Sequence, residues 1–135
     1  MENNCFTESS RINSIWGGNL CDMVRSTRIL EIFKEDKVLD YVNQVFRILH
    51  EHLHAVEREF PELISNVRYK GLMAAFDLPN PILRDEFRKA CYEQKMLVLP
   101  SGTHDIRFRP ILTVSEDDLN DGYERMRKAL KNMSK

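Results

Sequence analysis

Two stretches of this 135-residue chain carry residues whose types and spacing suit chemistry. The first, His50-Glu51-His52-Leu53-His54, matches H-E-x-x-H. On a helix, His50 and His54 share a face, a spacing that can hold zinc while the glutamate polarises a bound water. The context opposes that use. A catalytic zinc needs a third protein ligand. Where the extended motif places Gly and His after its second histidine, this chain has Glu57 and Phe60. Leu49 and Leu53 set the buried direction, which leaves His50 and His54 one position past the apolar stripe. They read as a solvated helix face, and no metal site is expected. The second stretch is Ile106-Arg107-Phe108-Arg109-Pro110. Alternation on a strand puts Arg107 and Arg109 on one face, with Ile106 and Phe108 opposite. A planar guanidinium offers a carboxylate two parallel hydrogen bonds. By residue type alone, the two arginines fit the surface of a half-exposed strand equally well.

The elements that must position these groups follow from periodicity and punctuation. Residues 1–18, rich in Asn and Ser and ending in Gly17-Gly18, read as an irregular arm, and residues 19–135 as the folded domain. Asn19 caps a first helix whose apolar face is Leu20, Met23, Val24, Leu30 and Phe33. Asp36 is expected to cap a longer helix running to about Phe60, with a stripe of Val38, Val42, Val45, Phe46, Leu49, Leu53, Val56 and Phe60, before Pro61 stops it. Tyr69 to Leu78 reads as one buried strand. Asn80 and Pro81 open a helix lined by Leu83, Phe87, Ala90 and Cys91. Met96 to Leu99 is expected as a short strand ended by Pro100-Ser101-Gly102, and Ile106 to Phe108 as another. Ser115 caps the last helix, with Asp118 at the capping-box position and a stripe of Leu119, Tyr123, Met126 and Leu130. The order ααβαββα predicts an α+β fold, a small sheet covered by helices.

Composition removes several function classes. With 20 Lys+Arg against 21 Asp+Glu the net charge is −1, so the chain lacks the basic face of a general nucleic-acid binder. No apolar run is long enough to span a membrane. The acidic Glu2 and the lack of an early apolar block argue against a secretory signal. Cys5, Cys21 and Cys91 are an odd, widely spaced set, expected as reduced thiols of a cytoplasmic protein.

Longer motifs add a resemblance. One runs Arg11-Ile-Asn-Ser-Ile-Trp-Gly-Gly-Asn-Leu20, continuing through Asp22-Met-Val-Arg25 and Arg28-Ile-Leu-Glu31. Another joins Gly71-Leu-Met-Ala-Ala-Phe76, Leu97-Val-Leu-Pro-Ser-Gly102, Ile106-Arg-Phe-Arg-Pro110 and Leu112-Thr-Val-Ser115. Together they resemble the C-terminal part of class III pyridoxal-phosphate-dependent aminotransferases. Asn13-Ser14, Trp16 to Asn19 and Asp22 to Val24 are most similar to the L-lysine 6-aminotransferase branch.

The resemblance implies a C-terminal small domain of a fold-type I enzyme with its connecting segment, a fragment of about a third of a complete member. It implies pyridoxal 5′-phosphate in the complete enzyme, amino-acid and 2-oxo-acid substrates, a large domain and a homodimer partner. It also implies that the Schiff-base lysine and most cofactor contacts lie upstream of the matched stretch. None of the eight lysines matches that position, and Lys70, nearest a buried strand, reads as a charged strand end. A chain without that lysine is expected to bind no cofactor and to be inactive alone. By the same resemblance, Arg107 grips the substrate α-carboxylate, with Arg109 in support. The position of Ile15 is a threonine that reaches the cofactor phosphate of the partner subunit in the family pattern; isoleucine has no hydroxyl to do so. Trp16 reads as an apolar anchor. Three functions therefore stand: part of a lysine 6-aminotransferase of lysine catabolism passing the ε-amino group to 2-oxoglutarate, a non-catalytic remnant or association module, and a zinc hydrolase at His50 and His54.

Overall fold

The computed structural model describes residues 15–134. The chain divides into two compact units, residues 1–37 and 38–135. Most of the expected irregular arm, with Cys5 and the Arg11 to Ser14 motif, lies outside the described residues.

In the first unit, Ile15 to Gly18 form a turn, and α1 spans Leu20–Glu35. Asn19 caps α1 as expected, accepting from the Cys21 N–H at 2.9 Å. No residue of α1 is buried, and Leu20, Met23, Val24 and Leu30 are all more than half exposed. Asp36, expected as the cap of the second helix, instead closes α1, its N–H donating to the Ile32 carbonyl. Lys37 at φ 49° then breaks the chain between helices, a backbone conformation unfavourable for a side-chain-bearing residue.

The second unit holds α2 (Val38–Glu59), β1 (Ser65–Lys70), β2 (Met73–Asp77), α3 (Pro81–Glu93), β3 (Leu99–Ser101), β4 (Asp105–Phe108) and α4 (Glu116–Met133). The architecture is α+β, as expected. The four strands form one antiparallel sheet in the order β1-β2-β4-β3. Two expectations about its strands are corrected. The single strand over Tyr69 to Leu78 is a hairpin, because Gly71 at φ 58° reverses the chain, the role glycine takes at the first position of a two-residue turn. The strand expected over Met96 to Leu99 begins only at Leu99 and includes Pro100 and Ser101. A proline is tolerated there because β3 is an edge strand.

The core lies against one face of the sheet. The α2 stripe behaves as its period predicts: Val45, Leu49, Leu53 and Val56 are buried, as is Phe60 just beyond the helix. From the sheet, Ala74, Phe76 and Ile106 point into the same core, and Phe76 meets Phe87 of α3 edge-on at 5.7 Å. Asn80 accepts from Leu83 N–H at the start of α3, with Pro81 in the first turn. Ser115 caps α4 by accepting from Asp118 N–H, and its hydroxyl donates to the Asp118 carboxylate at 2.6 Å. Leu119, Met126, Ala129 and Leu130 seal α4 onto the core.

His52 and Tyr123 stack at 4.4 Å and join α2 to α4. The His52 Nδ1 is buried without a hydrogen-bond partner among the described residues. An unsatisfied buried polar group is destabilising by about 1 kcal/mol or more. His52→Phe, which keeps the stack and removes the orphan, is expected to raise the unfolding free energy by about 1 kcal/mol. A lower urea midpoint for this variant would show that the ring nitrogen contributes more than it costs.

Candidate functional site

Strand alternation places Arg107 on the face of the sheet away from the core. Ile106, its neighbour, is wholly buried, while Arg107 is exposed. Register then defines a row across the sheet: Arg68 opposite Ala75, Ala75 opposite Arg107, and Arg107 opposite Leu99. Within this unit, helices pack on the other side, so the row faces outward. It floors a shallow groove of about 450 Å³ lined by Arg68, Tyr69, Lys70, Met73, Ala74, Ala75, Ser101 and Arg107. The single methyl of Ala75 leaves open space between the two arginines.

The two arginines differ in their partners. Arg68 donates to Asp77 at 2.5 Å and to Asp105 at 2.6 Å. Burial works against ionised Asp77, yet hydrogen bonds from Asn66 and Arg68 outweigh it and hold its carboxyl below the usual range. The Arg68 fork is thus occupied within the protein. Arg107 pairs with no carboxylate among the described residues. Its fork is available for an outside carboxylate, the use its residue type favours. Arg109 lies just past β4 and lines two other clefts, of about 210 and 540 Å³, one of them shared with Arg107. The strand pattern thus brings Arg107 into the groove and leaves Arg109 at its margin.

The histidine motif takes a different form from the expected solvated face. His50 is buried, and its Nε2 lies 2.9 Å from the Gly71 carbonyl. Its ring stacks on Tyr69 at 3.4 Å and meets Phe46 edge-on. The position one step past the apolar stripe is covered because the β1–β2 turn folds over it. His54 pairs instead with Glu57 at 3.0 Å. Among the described residues, the one group of three ligand atoms close enough to hold a metal is Asp77, His104 and Asp105. Arg68 already engages both of those carboxylates. Cys91 is buried, which pushes its thiol up to about 12 and removes it as a nucleophile.

Lys70 was legible only as a charged strand end; the hairpin turn is what places it in the Arg107 groove. Residue types gave no signal for Ala75 and Ser101, which join the groove through register alone.

Comparison with known proteins adds three findings. The family model described as aminotransferase class-III matches residues 3–130. An L-lysine-epsilon aminotransferase of Amycolatopsis lactamdurans is 44% identical over 131 residues, covering 96% of this chain and 29% of that protein. The structure of a lysine aminotransferase from M. tuberculosis superposes with a TM-score of 0.85 at 39% identity, over 96% of this chain and 30% of that one. The chain therefore spans less than a third of the length of the relatives it matches.

Burial comes first among the causes that lower the His50 pKa, opposed by the bond to the Gly71 carbonyl and reinforced by His54. Burial likewise lowers that of His52, against Glu51 and Glu124. A histidine whose folded pKa is depressed binds fewer protons than in the unfolded chain. Its stability contribution is present above the unfolded value of about 6.5 and is lost as pH falls from there toward the folded value. The unfolding free energy is therefore expected to drop between about pH 7 and pH 5. A His50→Gln, His52→Phe double variant is expected to flatten this profile, and an unchanged slope in urea titrations at the two pH values contradicts the assignment.

Proposed function

The chain belongs to the class III aminotransferases, and we propose that it forms the carboxylate-binding part of an enzyme that moves the ε-amino group of L-lysine to 2-oxoglutarate. The observation that carries this reading is the contrast between Arg68, occupied by Asp77 and Asp105, and Arg107, unpaired among the described residues in the same groove. Lysine and 2-oxoglutarate both present a carboxylate next to the reacting carbon or at the far end of the chain. A rigid fork on a strand fixes that end and so decides which atom reaches the reaction centre. Similarity to lysine-ε-aminotransferases supports the donor; the two-carboxylate acceptor belongs to this proposal.

The described residues do not fit the family's pyridoxal phosphate. A Schiff-base lysine needs a pocket that holds its amine neutral, and all seven described lysines are exposed. Ile15, at the phosphate-contact position of the resemblance, is 98% exposed and carries no hydroxyl. No step through the cofactor is assigned to this chain. In this reading the complete protein brings a large domain and a homodimer partner that supply the cofactor, and the 135-residue chain alone is inactive.

The role of Arg107 is testable in a complete enzyme made by joining this chain to a family large domain. Arg107→Ala is expected to raise KM for lysine and for 2-oxoglutarate and to lower kcat, a loss of about 2–4 kcal/mol in kcat/KM. Arg107→Lys recovers little, because a point charge does not match a planar carboxylate. Arg109→Ala is the milder change. The reverse ordering of the two alanine variants, or an unaltered kcat/KM for Arg107→Ala, disproves the assignment.

A further inference from the structure

Two carboxylates stand within reach of Arg107, yet neither pairs with it. Asp105 lies two residues back on β4 and on the same face, about 7 Å away along the strand. Asp77 is opposite Asp105 on β2, which sets it diagonally from Arg107, a separation of about 7–8 Å that long side chains bridge. Arg68 holds the mirror-image position: it faces Ala75 from the other side and is likewise diagonal to Asp77. By position, then, Asp77 is shared between the two arginines. Asp105 is nearer to Arg107 than to Arg68, from which the whole of β2 separates it.

Arg68 nevertheless takes both. Its Nη1 donates to Asp77 at 2.5 Å and to the Asn66 carbonyl at 3.1 Å, and its Nη2 donates to Asp105 at 2.6 Å. A bulge between Ser65 and Arg68, with Asn66 at φ 54°, supplies that carbonyl as the third acceptor. The Asn66 amide also donates to Asp77, at 2.7 Å. Two carboxylates directly opposite each other repel, so removal of Arg68 turns them toward the nearest remaining cation. Lys70 stands opposite Met73, four residues along β2 from Asp77 and out of reach. His104 has a ring nitrogen close to both carboxylates. Among the described residues, Arg107 is the permanently charged group left within range.

We propose that Arg68 is a positioning residue for Arg107: by occupying Asp77 and Asp105 it keeps them from capturing the Arg107 guanidinium and leaves that fork open to a substrate carboxylate. This rests on the reading of Arg107 as the carboxylate fork. An Arg107 paired with Asp105 is not competent to bind, and apparent affinity falls with the competent fraction. Arg68 touches no reacting atom, so its loss is expected in KM rather than in kcat.

Two measurements test this, both at about pH 8, where imidazole is uncharged. Urea unfolding of the 135-residue chain reads the pairing itself. Arg107→Ala is expected to lower the folded-to-unfolded ratio about fivefold more in Arg68→Met than in the wild type, the worth of one exposed ion pair. In Arg68→Met/Asp77→Asn/Asp105→Asn that excess disappears. Kinetics of the complete enzyme, joined to a family large domain, read the consequence. Arg68→Met is expected to raise KM for lysine and for 2-oxoglutarate about fivefold with kcat little changed, and the triple variant to restore KM. Arg68→Lys, which keeps a cation beside the two anions, serves where Arg68→Met does not fold, with smaller shifts in the same direction. An equal cost of Arg107→Ala in both backgrounds, or a KM unmoved by Arg68→Met, overturns the role of Arg68. So does a raised KM that the triple variant leaves raised, which makes the clamp a support of the sheet alone. If Arg107→Ala itself leaves kcat/KM unaltered, the fork fails and the role of Arg68 with it, whatever the urea coupling shows.

Discussion

Burying Ile106 and Phe76 in the core they share with the α2 stripe and Phe87 of α3 sends every second residue of the central strands to the other face of the sheet. That geometric obligation is what turns a run of alternating residues into a site. Phe108 stays on the core side, so its two arginine neighbours cannot. A slip of one residue in the β2–β4 register would bury Arg107 and expose Ile106, at the cost of an unpaired buried charge. The hydrophobic core therefore fixes the position of Arg107 without touching it.

The same one-sided layering explains how the outward face divides its charges. Arg68 and Arg107 share a row and a residue type, yet only Arg68 has carboxylates in reach. The difference comes from the pairing of Asp77 with Asp105, which gathers two anions at one end of the sheet. An internal arginine clamp stabilises those carboxylates and leaves the opposite end positive. One kind of side chain thus stands paired at one end of this surface and without a carboxylate partner among the described residues at the other.

The histidine motif shows how a sequence pattern leaves open what its side chains touch. His50 and His54 do share a helix with the spacing of a zinc pair. One ring nitrogen of each is engaged elsewhere, His50 Nε2 with the Gly71 carbonyl and His54 Nδ1 with Glu57. His50 in effect ties α2 to the turn that carries Lys70, so a residue suspected of catalysis serves to hold the border of the groove.

Helix boundaries were legible in the sequence because caps act locally. Asn19, Asn80 and Ser115 each accept a backbone N–H two or three residues ahead, and nothing distant is needed to recognise them. The α2 stripe was equally plain, since its 3.6-residue period is a property of the helix itself. Motif resemblance alone singled out Arg107 over Arg109. Other features waited on the tertiary structure. The hairpin at Gly71 hid inside an apolar run whose residue types suit a buried strand, and only the pairing of β1 with β2 shows where β2 begins. Asp36 has the type of an N-cap but closes the preceding helix, because capping preference does not say which neighbour claims the residue. The bond of His50 to Gly71, the reach of Arg68 to Asp105 and the placing of Lys70 and Arg107 in one groove join residues 21 to 37 positions apart. Such contacts depend on strand register, which sequence pattern constrains only through the face each residue must take.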